Sequence, residues 1–332
     1  MRTRALLQDF LRRHTGLELF PVGEGFCALH REDSDRRPVV LRADYDALAT
    51  PDGTPCHLCG HDGHAAALCG AALLLEGRRV GRTVALLFQP AEETGAGAAP
   101  CCEIFDRLPD ALVFGCHNLP GFPFGQVLTR PGTFACASRG VTLFLTGKPT
   151  HAAYPENGVS PASAVGKLLC LLPELAAPEK YTGMALCTVI GVRMGEKAFG
   201  AAAEKAEVWL TLRGEHNTDL ELLRARVLEG AGQLAKESGL GFRFEEQDVF
   251  PATENTPEQA EAVLATLRGS ELAEPMRWSE DFGHYLLHRP GAFFGIGCGE
   301  AWPALHTRGY EFPDALLPLM AKNWITLAEM LP

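Results

Sequence analysis

Residues 83–95, Thr-Val-Ala-Leu-Leu-Phe-Gln-Pro-Ala-Glu-Glu-Thr-Gly, constrain the fold more than any other stretch. Thr83 to Gln89 is almost wholly apolar and reads as a strand covered on both faces, as in a parallel sheet. It runs out into two adjacent carboxylates, Glu92 and Glu93. Neighbouring acids are costly unless a cation sits between them or one keeps its proton. On alternating geometry the two point different ways, so one can bind metal while the other faces a substrate. A solvated loop would carry the same pair, so the pair alone does not decide the matter.

The pattern recurs. Pro38 to Leu41 reads as a strand that delivers Asp44, and the apolar run Ala111 to Gly115 delivers His117-Asn118. Strands, polar-tipped loops and helices in alternation predict an open α/β domain. Ligands of such sheets lie off the carboxyl ends of the strands, where Asp44, Glu92, Glu93 and His117 all fall. Between the first two strands comes Cys56-His57-Leu58-Cys59-Gly60-His61-Asp62-Gly63-His64. It reads as a loop feeding a helix over Ala65 to Leu75. Thiolate and imidazole are common zinc ligands. A Cys-x-x-Cys also occurs in redox pairs and in structural zinc sites, but no second Cys-x-x-Cys exists here to complete four thiols. Cys59 and His61 with ligands from elsewhere fit better. Cys59, His61, Glu93, His117 and His306 make five candidates, which suits two metals with open positions better than one closed site.

From about Arg139 the pattern changes. Strands are expected at Val141–Thr146, Ala185–Val192, Glu207–Arg213 and Gly241–Val249. Helices are expected at Pro161–Leu172 and from an N-cap at Thr218 to about Ser238. The order β-α-β-β-α-β matches a ferredoxin-like unit. Residues 138–247 are therefore read as an inserted ferredoxin-like α+β domain, which the family resemblance given below makes a lid or dimerisation domain. Residues 1–137 and 248–332 are read as the metal-binding domain, with a mostly parallel sheet. The strand around Trp209 alternates in polarity and is expected to be half exposed, which suggests a homodimer.

The 332 residues carry a net charge of −11 and no basic stripe, which argues against nucleic acid. No apolar run approaches membrane length, and Met1 to Arg13 is too short and too charged for a signal peptide. Eleven cysteines are an odd count in a long chain, so reduced thiols and a cytoplasmic setting are expected.

Seven motifs then occur in a familiar order: Arg42-Ala43-Asp44-Tyr45-Asp46-Ala47-Leu48, Cys59-Gly60-His61-Asp62-Gly63-His64, Phe88-Gln89-Pro90-Ala91-Glu92-Glu93, His117-Asn118, Gly147-Lys148-Pro149-Thr150-His151-Ala152-Ala153, Ser279-Glu280-Asp281-Phe282 and Leu305-His306. From about residue 38 onward the chain resembles the metal-dependent amidohydrolases that include aminoacylases, hippurate hydrolase and the plant auxin-conjugate hydrolases. The resemblance implies Cys59, His61, Glu93, His117 and His306 as ligands of two divalent ions, zinc or manganese, with cobalt as a further option. It implies Glu92 as the general base on a metal-bound water and His151 as a lid histidine near the substrate. Asp44 would support the metal site from behind, and Arg213 matches a lid arginine that would hold substrate. The implied substrate is an N-acyl amino acid. A dipeptidase, or a homologue with weak or lost activity, is the alternative. The chain departs from the family in three places. The Arg-x-x-His-x-x-Pro-Glu helix is missing or reduced, Gly200 stands where an asparagine is usual, and Pro149-Thr150-His151 stands where Gly-Gly-His is usual.

Overall fold

The apolar runs pair much as their composition demands. In the computed structural model, which describes residues 2–49 and 53–331, contacts divide the chain into two compact units. The first holds residues 1–134, 253–276 and 280–332, and the second holds residues 135–252 with 277–279.

The first unit is built on an eight-stranded sheet. Its middle is parallel: Val84–Gln89, Val39–Asp44, Leu112–Pro120 and Gly291–Gly299 lie side by side in that order. The hairpin of Glu18–Val22 and Gly25–His30 adds antiparallel strands beyond Val84–Gln89. Val127–Thr129 and Ser270–Glu271 extend the other side. Every residue of Val39–Asp44 and Val84–Gln89 is buried, as expected of strands covered on both faces. The helices His61–Leu75 and Leu317–Met330 pack together and share one core with the sheet through Leu68, Leu75, Leu41, Phe114 and Trp324.

The second unit is a four-stranded antiparallel sheet in the order Ala185–Met194, Lys205–Gly214, Ala137–Thr146, Gly241–Phe250. This order is the ferredoxin-like arrangement expected from the sequence. The helices Ala162–Leu175 and Asn217–Glu237 share its core, where Val208, Leu210 and Leu212 are buried. Alternation leaves the other face open: Ile190, Val192, Met194, Trp209 and Phe244 are exposed.

Three expectations need correction. The helix after the Cys/His segment begins at His61 rather than Ala65, so His61 and His64 stand in its first turn. The strand at residue 112 runs on to Pro120, which places His117 and Asn118 inside the sheet instead of just beyond it. Thr218 does not cap its helix: the helix starts at Asn217 after an extended His216, with no side-chain cap. The hairpin at residues 18–30 lacked a clear sequence signal. Its strands are short, and Pro21 lies inside one of them.

Candidate metal centre

Two backbone devices bring the ligand candidates together. Gly60 has φ 96°, a left-handed conformation, and a Cβ there would come within 2.4 Å of the Asn118 amide oxygen. Only glycine lets the chain turn from Cys59 into the helix so close to the neighbouring strand. On the opposite loop the His306 N–H donates to the Leu58 carbonyl at 2.7 Å, with His306 itself at φ 62°. Ala91, just before Glu92, is also left-handed at φ 57°. Non-glycine residues held in this region cost of order 1–3 kcal/mol each and cluster where function over-determines the backbone.

The side chains converge. Cys59 Sγ lies 3.4 Å from His117 Nε2 and 3.2 Å from His306 Nε2. Glu93 Oε1 lies 3.8 Å from both His61 Nε2 and His306 Nε2. Glu92 Oε2 is also 3.8 Å from His61 Nε2. Cys59–His61–His117 and Cys59–Glu93–His306 each bring their donor atoms within 4.8 Å of one another. His61 Nε2 and Glu93 Oε1 are buried without a hydrogen-bond partner, which is expensive unless something else meets them.

The outer contacts fix which ring nitrogen faces inward. His117 Nδ1 donates to the Asn118 carbonyl at 2.8 Å, so Nε2 presents its lone pair toward Cys59. His61 Nδ1 pairs with Asp46 Oδ1 at 3.2 Å, while Asp46 Oδ2 accepts from the Glu93 N–H at 3.1 Å. Asp46 therefore orients two ligand candidates at once. In the sequence Asp46 stands beside Asp44 in Arg42-Ala43-Asp44-Tyr45-Asp46, with nothing local to mark this role. Asp44, expected to stand behind the metal site, bonds His64 Nδ1 at 2.6 Å and lies 3.9 Å from His61 Nε2. His64 Nε2 meets Asn118 Oδ1 at 2.5 Å, and Asn118 donates to the Tyr310 hydroxyl at 2.6 Å.

Behind the cluster lies a fully buried guanidinium. Arg42 donates to Asp44 at 2.8 Å and Asp281 at 2.7 Å, and its Nη2 lies 3.0 Å from Glu280. Burial penalises the Asp44 carboxylate, yet His61, Arg42 and His64 together hold it well below the usual range. Glu92 goes the other way: burial, then the Glu280 and Asp281 carboxylates, push it well above the ordinary value. Burial also carries Glu280 up to about 8 and the Cys59 thiol up to about 12. His117 is pushed well down by burial, then by His64 and His61. Asp44, Glu280 and Asp281 thus converge on Arg42, while Asp46, Glu92 and Glu93 stand around His61. Divalent cations fit this donor set: soft sulfur, imidazole and carboxylate with two orphaned atoms aimed inward.

Two expected site residues belong to the second unit. His151 sits on a two-residue strand paired with Ala201–Ala202 and is exposed, its Nδ1 accepting from the Ala153 N–H at 3.1 Å. Arg213 lies on Lys205–Gly214, and its Nη1 donates to the Arg277 carbonyl at 3.1 Å and to Ser279 Oγ at 2.8 Å. Burial lowers its pKa somewhat from the ordinary arginine value. Neither residue belongs to the metal-ligating groups found among the described residues.

A model of the peptidase family M20/M25/M40 matches residues 40–329. The chain belongs to that family. Among relatives, an IAA-amino acid hydrolase ILR1-like 2 of Arabidopsis thaliana is 29% identical over 315 residues, covering 87% of this chain and 71% of the relative. A hippurate hydrolase of Campylobacter jejuni is 27% identical over 319 residues, covering 90% of this chain and 83% of the relative. The fold matches that of Bacillus subtilis YXEP, described as a dinuclear metal binding peptidase of the M20 family. Its TM-score is 0.82 at 24% identity, covering 99% of this chain and 92% of that one. No helix among the described residues is long and apolar enough to cross a membrane, and all eleven cysteines are free.

Proposed function

We propose that this M20 protein hydrolyses the amide bond of N-acyl amino acids with the help of two divalent cations. Cys59, His61, Glu93, His117 and His306 would hold them. One observation carries the reading: Glu92, a buried acid that none of these ligand roles uses, presents one oxygen to the side where the ligand candidates meet. Cations bound there would supply Lewis acidity, making a water easier to deprotonate and a carbonyl easier to attack. Glu92 takes the proton of the attacking water and hands it to the departing nitrogen, a role that suits a buried carboxyl with one oxygen turned to the ligand candidates. His61 and His117 are held by Asp46 and by the Asn118 carbonyl, so neither ring has to turn during turnover.

His151 as donor to the developing oxyanion and Arg213 as anchor for the substrate carboxylate enter through the family resemblance rather than through a distance. The same holds for residues 138–247 as a lid. Its open apolar face, with Ile190 61% exposed and Trp209 38% exposed, supports a homodimer. The free thiols support a reducing, cytoplasmic setting.

The test is a panel of N-acetyl and N-benzoyl amino acids, with dipeptides alongside, offered to protein loaded with zinc, manganese or cobalt. Turnover of acylated amino acids that disappears on chelation and returns with metal is the expected result. Turnover that survives complete removal of metal, or that is abolished by thiol alkylation but indifferent to chelators, would overturn the reading. Preference for dipeptides would move the substrate class while leaving the chemistry in place.

A further inference from the structure

We infer that Asp281 is a positioning residue for Glu92, acting through its own main chain; the inference rests on the hydrolase reading above. The Asp281 N–H donates to Glu92 Oε1 at 3.3 Å, while Oε2 of the same carboxylate lies 3.8 Å from His61 Nε2. One oxygen is tethered at the back and the other is turned to the ligand cluster. A base held by one oxygen cannot rotate its carboxylate away from the proton it must take. Since Glu92 follows a left-handed Ala91, its main chain is fixed from the other side as well.

What fixes the donor is the Asp281 side chain. Oδ1 accepts from Arg42 Nη2 at 2.7 Å and from Gln89 Nε2 at 3.0 Å. Oδ2 accepts from Gln89 Nε2 at 2.8 Å and from the Ala98 N–H at 2.9 Å. Gln89 cannot turn its amide over, because its Oε1 already accepts from Arg42 Nε at 2.8 Å and from the Tyr285 hydroxyl at 2.8 Å. Its NH₂ must therefore face Asp281. Arg42 is pinned in turn by Asp44 and Glu280. Asp281, Arg42, Gln89 and Tyr285 are all buried. The carboxylate is thus caught between strand ends and the start of the helix Ala98–Cys101, and its backbone N–H can point only where the cage lets it. A shift of about 1 Å at a reacting group can cost about 10²-fold in rate, so a cage of this stiffness has a catalytic use beyond holding the loop.

The experiment is a double-mutant cycle. Asp281→Asn keeps the size and the backbone N–H but puts an NH₂ against a cage made of donors. In metal-loaded enzyme it is expected to lower kcat by about 10²-fold with KM within about twofold. Metal stoichiometry and affinity, followed by calorimetric titration of the apo protein, are expected to stay at the wild-type value. In a Glu92→Gln background the same substitution is expected to cost no further turnover, because the group it positions is gone. Equal losses in both backgrounds, or a loss of metal binding, would show that Asp281 acts elsewhere and overturn the inference. If Asp281→Asn does not fold, Tyr285→Phe loosens Gln89 while leaving the Asp281 side chain in place, and the same cycle, with a smaller loss of kcat, decides the question. A Glu92→Gln enzyme with full activity would sink the hydrolase reading itself. An inactive Glu92→Gln beside a fully active Asp281→Asn would sink only this inference.

Discussion

The two units handle arginine in opposite ways. In the first, Arg42 is wholly buried and bonded to Asp44, Asp281 and Gln89, with Glu280 beside it. In the second, Arg139 and Arg224 share Glu246 at the sheet surface, with Glu221 nearby, and all four side chains keep some contact with water. The difference follows from the sheets. One is covered on both faces, so a charge near its strand ends has no water and must be matched by protein groups. The other is covered on one face only, so even a charge on the helix side, such as Arg139 opposite the buried Leu212, reaches water at the rim of the sheet. A buried ion network is a poor way to gain stability, since desolvation offsets most of the attraction. Its presence at one place in the chain marks a site where geometry matters more than net stability.

The comparison can be broken most easily at the acids. Glu92→Gln leaves every proposed ligand in place, so metal content should hold while turnover drops by about 10²–10⁴-fold, the usual worth of a positioned base. Glu93→Gln should instead weaken metal binding and be partly rescued by excess metal. Elemental analysis beside steady-state rates separates the two, and the opposite pattern would exchange their roles.

Next in size is the buried cation. Arg42→Ala leaves Asp44, Glu280 and Asp281 facing one another without a counter-charge, and should destabilise the first unit by about 3–5 kcal/mol. Arg139→Ala, its partly solvated counterpart in the second unit, should cost at most about 1 kcal/mol. Urea titrations of both variants measure the contrast, and equal losses would mean that the buried network is no stiffer than the exposed one.

Between these lies Asp219, a buried carboxylate of the second unit. It accepts from the Thr182 N–H at 3.0 Å, the Gly183 N–H at 2.8 Å and the Thr182 hydroxyl. Burial opposes the charge, but these hydrogen bonds win and hold its pKa below the ordinary value. A depressed carboxylate stabilises the fold above its unfolded pKa of about 3.9 and loses that contribution as pH falls through the folded value. Asp219→Asn should therefore cost about 1–3 kcal/mol at neutral pH, and wild type and variant should converge in acid. A gap that persists unchanged at low pH would contradict the assignment.

Much of this was legible in the sequence, for identifiable reasons. Strands buried on both faces are nearly pure runs of apolar residues, so Thr83–Gln89 announced itself, and so did the acids at its end. Cys59 and His61 were legible as thiol and imidazole crowded into one loop before a helix, and Glu93 and His117 because each follows an apolar strand run. His306 was weak alone and became persuasive only beside the other motifs. Asp46 and Asp281 were harder to read, although both stand inside quoted motifs. An aspartate that orients a ligand and an aspartate at a loop surface look the same until the fold shows where the side chain ends. Gln89 offered still less, since a lone glutamine closing an apolar strand usually marks only the strand's exit. The Arg42 cage depends on a residue 239 positions away, and no local pattern carries that information.

That separation has a consequence for how the molecule is made. The strand Gly291–Gly299 lies in the middle of the large sheet, between Leu112–Pro120 and Val127–Thr129, so a central plank is made long after the strands on either side of it. At about 5–20 residues per second, Arg42 leaves the ribosome on the order of 10–50 s before Asp281. During that interval a guanidinium destined for a dry interior has none of its distant partners, and Cys59 waits 247 residues for His306. Translation of this chain therefore passes through a long-lived state with an open sheet seam and an exposed thiol. Chaperones, oxidants and proteases would meet the protein there, well before any substrate does.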